Sequence, residues 1–374
     1  MSVIWAIPQF SKNQVKKAGV TIRDCDSFVN LSDDVLEITS NWRASHGYPL
    51  NIIQKGIRRH AKNVYHSALV SQRLKRFPSI ALKLKRSQTM KLTTMQDIAG
   101  CRVIVRSTDE VYRVAKAYMN SDIRHGVRID QDYILHPKRD GYRSLHLVTK
   151  YYSEKRGDWN GLLIEIQIRT LLQHSWATAV ETVDLMHDQS LKFGKGSYDW
   201  ARFFKIIGSL FSRHENGPRV AYTPKGIQET RAIARKYCKK LDVFDRFNNY
   251  KFAFNVVGSD IFASKLKKHT GYFVMQFHRN DKSLNILDYK KSELSEATER
   301  YQYLERTTGS EVDVVLVNAS RMHDIRRAYP NYFLDTDRFL TNLSKLAFQA
   351  DGLRSPHESV DKEQAHGFKS GATG

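Results

Sequence analysis

Two stretches of the chain alternate apolar and polar residues with the period of a β-strand. Across 162–169 the even-numbered positions are all apolar, so one face is apolar and the opposite face carries Glu165, Gln167 and Arg169. The stretch 101–106 alternates in the same way and places Arg102 on the face opposite Cys101. Each stretch is therefore predicted to be a strand with one apolar face.

Apolar residues three and four positions apart predict helices around these strands. Ser32 and the two acids after it mark a helix start, and this helix is expected to end near His46. A second helix is expected from about Pro49 to Lys75. Further helices are predicted from His174, which is expected to face either the functional site or the core, and over about 228–247.

The pattern changes beyond residue 250, where short apolar runs alternate with helical signals. The runs 272–277 and 284–289 flank a polar turn, which predicts a β-hairpin. A strand at 312–317 and helices near 291–304, 320–328 and 335–348 complete a small α+β module. The chain is thus expected to comprise a first domain, a C-terminal module and a polar tail, over 1–225, 226–350 and 351–374.

Two carboxylates stand at the predicted strands. Asp97 lies just before the first strand, and Glu165 lies inside the second. Two carboxylates held by a rigid sheet among many cations suit a Mg²⁺ ion with a bound polyphosphate. Either acid alone is more often a surface residue or a turn residue, so it is the combination that indicates a site.

A turn between the two strands carries an aromatic residue. Pro137 and Gly141 bracket a bend, and Tyr142 follows the glycine. An aromatic ring on such a loop could stack on a base while neighbouring cations hold phosphate, here Lys138, Arg143 and His146. Taken alone, the same residues describe a hairpin turn with a half-buried tyrosine.

The composition describes a globular protein with a large excess of positive charge. The 374 residues are enough for two domains, and 41% of them are hydrophobic. Sixty Lys and Arg residues against 39 Asp and Glu give a net charge of +21. This surplus points to a polyanionic partner, which could be nucleic acid, nucleotides or an anionic membrane.

The sequence speaks against a membrane-spanning or secreted protein. No apolar run approaches the roughly 20 residues that span a bilayer, and the first residues do not form a signal peptide. Cys25, Cys101 and Cys238 are odd in number and far apart, which fits neither a disulfide framework nor a zinc site. A cytoplasmic protein with no membrane partner is expected, and a monomer is the simplest expectation.

Positive charge is concentrated ahead of Asp97. No acidic residue occurs from Thr39 to Gln96, so a strongly positive surface is expected beside the acidic site. Scattered cations usually form a solvated face, but a run of this length without counter-charge argues for a ligand. Four residues of the run could converge on a triphosphate: Arg73, Lys75, Ser79 and Lys83.

Taken together, these blocks resemble the synthetase domain of the RelA/SpoT alarmone family. The matching pieces are Arg73-x-Lys75 with Ser79 and Lys83, then 97–102 (DIAGCR), 137–146 (PKRDGYRSLH) and 165–170 (EIQIRT). The resemblance covers residues 35–210, and the motifs are specific in combination. It implies an α+β protein with a mixed β-sheet flanked by helices, akin to nucleotidyltransferases.

The resemblance also implies a reaction, which is transfer of the β,γ-pyrophosphate of ATP to a ribose 3′-hydroxyl with release of AMP. Asp97 would bind Mg²⁺, and Glu165 would share the metal or take the proton of the attacking hydroxyl. ATP would be held at its adenine by Arg73 and Arg102 and at its phosphates by Lys75, Ser79 and Lys83. The acceptor would be bound by Lys138, Tyr142, His146 and Gln167, with Tyr142 stacked on the base.

The acceptor itself distinguishes branches of the family. Members that make (p)ppGpp usually have Asn where this chain has His136 and Asp140. The toxic small alarmone synthetases instead modify the 3′ CCA end of tRNA and stop translation, and the basic run suits a tRNA backbone, with Arg58, Arg59, Lys62 and Arg76 as contacts. The alternatives are a (p)ppGpp synthetase that uses GDP or GTP, and a non-catalytic RNA-binding protein.

The C-terminal module resembles the regulatory part of fused toxin–antitoxin members, the CapRel type. The shared motif is Tyr-x-x-Tyr, here Tyr329 and Tyr332. In that type a metal-free pseudo-zinc-finger domain plugs the ATP site with these tyrosines until a phage structural (capsid-type) protein binds it. The resemblance thus implies tRNA and a phage protein as partners and a role in anti-phage defence. Tyr-Pro-Asn-Tyr could also simply anchor a turn.

Overall fold

The strands predicted from alternation lie side by side in the sheet of the computed structural model. Five strands form this sheet in the order β1-β2-β5-β4-β3. Only β2 and β5 run parallel, and the other neighbouring pairs are antiparallel. The strands are β1 (Leu69–Leu74), β2 (Ala99–Val105), β3 (Gly126–Asp132), β4 (Leu145–Lys150) and β5 (Leu163–Thr170). The expected mixed sheet is therefore confirmed.

The structure describes residues 5–27, 30–187, 196–257, 271–278, 284–290, 292–308, 312–318 and 332–353. The chain packs as two compact units. The first unit comprises residues 1–136 and 143–171, and the second comprises residues 137–142 and 172–374. The predicted boundary after residue 225 falls inside the second unit, and the predicted division into domains stays a prediction.

Helices flank the sheet of the first unit. They are α1 (Lys12–Asp24), α2 (Asp33–Ser45), α3 (Gly47–Val64), α4 (Phe77–Arg86) and α5 (Thr108–Met119). Two of them begin with a capping box, in which Ser11 pairs with Gln14 and Ser107 pairs with Glu110. Their apolar faces bury residues such as Ile53 and Ile57 against the sheet, which makes one continuous core.

The second predicted helix, 49–75, is wrong beyond its middle. Helix α3 ends at Val64, and residues 69–74 form β1. Leu69 faces Ile104 and Leu74 faces Ala99 across the antiparallel ladder with β2. Pairing with an apolar central strand thus overrides the local helical spacing, which is the usual limit of single-sequence patterns.

The second unit combines helices with a small antiparallel sheet. Its helices are α6 (Leu171–His187), α7 (Gly196–His214), α8 (Ile227–Lys240), α9 (Val243–Val257), α10 (Leu294–Thr307) and α11 (Tyr332–Ala347). Its sheet has the order β7-β6-β8, from β6 (Tyr272–His278), β7 (Leu284–Tyr289) and β8 (Val312–Asn318). Aromatic rings dominate the helical core, among them Phe203, Phe204, Phe211, Phe247 and Phe339.

Most of the C-terminal predictions are confirmed. The hairpin is β6 and β7, paired antiparallel, and the predicted strand at 312–317 is β8. The single helix expected over 228–247 is two helices, because Asp242 between α8 and α9 has a φ of 49°. The helix near 335–348 begins at Tyr332, and the one predicted over 320–328 lies outside the described residues.

His174 faces the core of the second unit, which was one of its two predicted orientations. Its ring nitrogen Nε2 lies 3.0 Å from the Oδ2 atom of Asp335, the fourth residue of α11. Both side chains are almost fully buried, and Asp335 also pairs with Arg338 at 3.3 Å. A buried polar pair of this kind joins α6 to α11.

A pair of glycines lets the 137–142 loop pack directly on α7. Gly141 has a φ of 102°, which favours glycine, and a Cβ there would lie 3.0 Å from the carbonyl oxygen of Phe204. On the helix side, a Cβ at Gly208 would lie 2.7 Å from the carbonyl oxygen of Gly141. The backbones therefore meet where a side chain has no room on either partner.

Replacing Gly208 by Ala tests this contact. In an open helix the change is favourable by about 1 kcal/mol, but here the methyl group meets rigid backbone and the expected net destabilisation is about 1–3 kcal/mol. Urea unfolding measures it. Gly226→Ala is the control, because a Cβ there meets nothing closer than 3.9 Å. Equal stability of the Gly208→Ala variant and the natural protein would contradict the packing.

Candidate active site

The pairing of β2 with β5 brings the two predicted carboxylates to neighbouring strands. In the parallel register Gly100 faces Glu165, and Arg102 faces Gln167. A Cβ at Gly100 would lie 3.4 Å from the backbone oxygen of Glu165, so the glycine keeps the strands close at this point. Asp97 precedes β2 and therefore reaches the same end of the pair.

Asp97 is held by two lysines. The Nζ atom of Lys75 lies 2.8 Å from Oδ2, and the Nζ atom of Lys83 lies 2.8 Å from Oδ1. Burial acts to raise the pKa of Asp97, but the charges and hydrogen bonds of the two ammonium groups outweigh it and hold the pKa below its ordinary value. Asp97 is therefore a carboxylate at neutral pH.

Glu165 sits at the end of a chain of hydrogen bonds along the polar face of the sheet. Its Oε1 lies 3.1 Å from Nδ1 of His146, and its Oε2 accepts from the Gln167 amide at 2.7 Å. Gln167 in turn accepts from Arg169 at 2.7 Å, while Tyr133 meets the His146 ring edge-on. Each donor is oriented by another contact, so the carboxylate is fixed.

The balance of forces at Glu165 also favours the charged form. Burial acts to raise its pKa, the hydrogen bond and charge of His146 lower it, and the charge of Asp97 raises it again. The net effect is a pKa below the ordinary value.

The donor set fits a magnesium ion that is also held by a phosphate group. Magnesium usually takes one or two carboxylates and completes its shell with water and phosphate oxygens. Asp97 and Glu165 are two ionised oxygen donors, and the described residues contain no group of three or more His, Cys, Asp or Glu that could hold a metal alone. The two carboxylates are therefore oxygen donors of the kind that magnesium takes in proteins.

The remaining residues predicted to bind ATP lie on three elements, β1, α4 and β2. Arg73 is exposed on β1, Ser79 is exposed in the first turn of α4, and Arg102 is buried on β2. Of the predicted ATP ligands, the structure brings Lys75 and Lys83 into direct contact with a carboxylate. Arg73, Ser79 and Arg102 stay predictions as nucleotide contacts.

Two of the predicted acceptor ligands belong to the second unit. Gly141 bends the 137–142 loop, and the Nζ atom of Lys138 lies 5.0 Å from the centre of the Tyr142 ring. The Tyr142 ring also meets Trp176 edge-on. The other two, His146 and Gln167, lie in the first unit and contact Glu165.

The basic run forms an exposed face on α3. Arg58, Arg59 and Lys62 are exposed on this helix, and Arg76 is exposed just before α4. The Arg58 guanidinium also donates to the backbone oxygen of Val70 at 3.2 Å, which ties part of this face to β1. Their role as contacts for an anionic partner stays a prediction.

Arg43 is a member of the site that the sequence did not single out. Its Nε atom donates to the backbone oxygen of Lys75 at 2.6 Å, and so it fixes the segment that carries the Asp97 partner. Burial lowers the pKa of Arg43, and the charge of Arg76 lowers it further. The sequence shows that Arg43 belongs to the basic run. It does not show that Arg43 bonds to the backbone oxygen of Lys75, because such a bond leaves no sequence pattern.

The predicted regulatory tyrosines lie at the edge of what the structure describes. Tyr329 lies outside the described residues, and Tyr332 is the first residue of α11. Their regulatory role stays a prediction.

Comparison with known proteins matches the middle of the chain to one family. Residues 72–185 match the family described as “Region found in RelA / SpoT proteins”. This segment contains both carboxylates and their partners Lys75, Lys83, His146 and Gln167. The match agrees with the RelA/SpoT resemblance that the motifs predicted.

Two relatives in Bacillus subtilis (strain 168) are named GTP pyrophosphokinases. YjbM is 33% identical over 124 residues, which are 33% of this chain and 58% of that protein. YwaC is 35% identical over 112 residues, which are 28% of this chain and 52% of that protein. The chain thus spans little more than half the length of these relatives.

A solved structure also aligns with part of the chain. Small alarmone synthetase 1 from Bacillus subtilis, bound to its product pppGpp, aligns at a TM-score of 0.40 and 25% identity. The alignment covers 45% of this chain and 88% of that one.

Within the described part of the chain, no helix is both long enough and apolar enough to cross a bilayer.

The ion pairs of Asp97 predict a specific loss of stability in acid. Because its folded pKa lies below the ordinary 3.8, its contribution is complete above pH 3.8 and is lost as pH falls through the lower folded value. In Asp97→Asn this loss is absent, so the free energy of unfolding should fall less steeply below pH 3.8 than in the natural protein.

Urea unfolding across acid pH measures this slope. The matched control is Asp109→Asn, because Asp109 is 78% exposed and lies 3.8 Å from its partner Arg113. This control should keep the slope of the natural protein. If the free energy of unfolding fell equally steeply with pH in all three proteins, the ion pairs of Asp97 with Lys75 and Lys83 would not contribute to stability.

Proposed function

We propose that the protein is a magnesium-dependent pyrophosphokinase that transfers pyrophosphate from ATP to the 3′-hydroxyl of the tRNA CCA end and thereby blocks translation. The observation that carries the proposal is the pair of ionised carboxylates just before β2 and within β5, one held by two lysines and the other by a histidine. Such a set of charges suits a metal-bound triphosphate. The RelA/SpoT region that contains it agrees with this chemistry.

The reaction forms one P–O bond, and it breaks one P–O bond of ATP and the O–H bond of the acceptor. The acceptor 3′-oxygen attacks the β-phosphorus of ATP, the bridge to the α-phosphate breaks and AMP leaves, while the proton of the 3′-hydroxyl passes to Glu165 or to water. Lys75 and Lys83 hold the phosphates, and Asp97 and Glu165 hold the magnesium ion. When bound, magnesium supplies positive charge that neutralises the transferred phosphates. Arg73, Ser79 and Arg102 complete the ATP site in this proposal.

The lowered pKa of Glu165 helps to choose between its two proposed roles. Burial acts against the charged form, but His146 outweighs it, so the carboxylate gains a proton less readily than an ordinary glutamate. A general base works best when its pKa lies near the working pH. Glu165 is therefore assigned chiefly to the metal, with His146 and Gln167 fixing its orientation.

A tRNA acceptor is favoured by the positive face on α3. Arg58, Arg59 and Lys62 are exposed on one helix, and binding a polyanion along such a face releases counterions. His136 and Asp140 also replace the asparagines usual in (p)ppGpp synthetases. The second candidate is a (p)ppGpp synthetase with GDP or GTP as acceptor, which the names of the two Bacillus relatives favour.

We also propose that the C-terminal segment regulates the enzyme as a pseudo-zinc-finger antitoxin module. In this proposal Tyr329 and Tyr332 close the ATP site, and a phage capsid-type protein releases it in anti-phage defence. The support is the Tyr-x-x-Tyr motif and the three-stranded sheet of β6, β7 and β8 in this part of the chain. The enzyme is proposed to act in the cytoplasm as a monomer.

The first test follows label from γ-³²P-ATP with magnesium onto either bulk tRNA or GDP. The expected result is label on tRNA. Glu165→Gln removes a metal ligand and should lower labelling on the order of 10²-fold or more. Glu154→Gln is the control, because this glutamate is 64% exposed in a surface pair with Arg124.

The outcomes separate the candidate functions. Label on GDP alone, lost in Glu165→Gln, would replace the tRNA acceptor with a guanosine nucleotide. Label on neither acceptor, also with the regulatory tyrosines replaced, would overturn the enzymatic proposal and leave an RNA-binding protein.

Autoinhibition predicts that Tyr332→Ala increases activity. A closed state favoured by roughly 3–5 kcal/mol leaves less than about one per cent of the molecules active, so its loss should raise labelling more than about a hundredfold. The measurement is the rate of tRNA labelling by the purified variant, together with growth arrest on expression. Tyr303→Ala, at a described tyrosine that is 55% exposed on α10, is the control. Equal rates for the natural protein and Tyr332→Ala would refute the closed state.

A further inference from the structure

Tyr222 is an exposed aromatic residue in a backbone conformation that tyrosine rarely adopts. Its side chain is 76% exposed, and its φ is 62°. Left-handed backbone is uncommon for bulky residues, and such strain persists only where the surroundings enforce it. Neither apolar burial nor backbone preference therefore explains a tyrosine at this position.

Hydrogen bonds fix the loop on both sides of Tyr222. The hydroxyls of Ser209 on α7 and Thr223 lie 2.9 Å apart in a buried contact, and the Thr223 hydroxyl also donates to the Val220 oxygen at 2.7 Å. Arg213 donates to the backbone oxygens of Pro224 and Lys225, each at 2.8 Å. The loop is thus built on α7, and the strained residue within it points its ring outward.

Two cations accompany the ring. The Cζ atom of Arg139 lies 5.5 Å from the centre of the Tyr222 ring, and the Nζ atom of Lys205 lies 5.1 Å from it. Lys205 comes from α7, and Arg139 comes from the 137–142 loop that Gly141 and Gly208 hold against α7. Three separate segments of the second unit therefore converge on one exposed ring.

Both cations lack a carboxylate partner in the part of the chain that the structure describes. Among the described residues, neither Arg139 nor Lys205 forms an ion pair with a carboxylate, whereas Lys240 on the same unit pairs with Asp199 at 2.7 Å. An aromatic face beside uncommitted cations is the combination that binds single-stranded nucleic acid, with a base on the ring and phosphates on the cations. An acidic protein surface would satisfy the cations but would leave the ring unused.

We propose that Tyr222, Arg139 and Lys205 form a stacking platform for an unpaired base of single-stranded RNA. The proposal rests on the proposed function, since it names a further contact for the acceptor RNA. Arg139 and Lys205 have long flexible side chains, so they can move from the ring to the phosphates on either side of the stacked base. The platform lies outside residues 72–185, apart from Arg139.

The test is binding of a short single-stranded RNA ending in CCA, measured by fluorescence anisotropy with the full chain. Tyr222→Ala should weaken binding on the order of tenfold, and Tyr222→Phe should retain it, because stacking needs the ring and not the hydroxyl. The matched control is Tyr198→Ala. Tyr198 is 64% exposed on α7, and its hydroxyl accepts from Arg202 at 3.1 Å, so it differs from Tyr222 mainly in lacking the platform.

A second variant separates the ring from the fold. Tyr222→Gly relieves the positive φ, so its melting temperature should be equal or higher, while its RNA affinity should fall as in Tyr222→Ala. Arg139→Ala and Lys205→Ala should each reduce the slope of log affinity against log salt by about one. Unchanged RNA affinity in Tyr222→Ala would overturn the platform. The affinity for polyglutamate, an acidic polymer without bases, is measured in parallel. If Tyr222→Ala weakened binding of polyglutamate as much as binding of RNA, the platform would also be overturned.

The result also distinguishes the platform from the enzymatic proposal. Labelling and RNA binding that are equally strong in Tyr222→Ala and the natural protein would overturn the platform and leave the tRNA pyrophosphokinase standing. Tyr222-dependent RNA binding by a protein that labels only GDP would support the platform and overturn tRNA as the acceptor.

Discussion

The parallel pairing of β2 with β5 is the constraint on which the site depends. It places Gly100 opposite Glu165 and thereby sets the carboxylate of β5 beside Asp97, which precedes β2. A slip of one residue would turn Glu165 towards the apolar core and bring Ile164 or Ile166 to the polar face. The buried isoleucines of β5 prevent this slip, so the hydrophobic core determines the position of the Glu165 carboxylate.

Two neighbouring carboxylates can share this position because each has its own partners. The partners of Asp97 are Lys75, which follows β1, and Lys83 on α4. The partners of Glu165 are His146 on β4 and Gln167 on β5. Without them, burial and mutual repulsion would favour protonation of at least one acid. In the proposed reaction the lysines that neutralise Asp97 are also the phosphate ligands, so a nucleotide replaces one anionic partner of the lysines by another.

The sequence predicts the parts of this arrangement that depend on local pattern. The alternation around Glu165 and the position of Asp97 before a strand can be recognised in the sequence, because side chains of a β-strand alternate strictly between its two faces. Strand β1 was missed because its pairing with β2 is a contact between distant residues, and its own spacing is helical. The Glu165–His146 bond and the Gly141–Gly208 approach arise from register and close packing, which no single stretch of sequence reveals.

The second unit shows that the RelA/SpoT region is not packed by itself. Helix α6 starts within residues 72–185, yet its His174 is paired with Asp335 of α11, and Phe339 of the same helix packs against Phe203 and Phe211. Separating α11 from this core would expose aromatic surface and leave Asp335 with fewer partners, and both effects are unfavourable. Helix α11 is therefore part of the core that α6 begins.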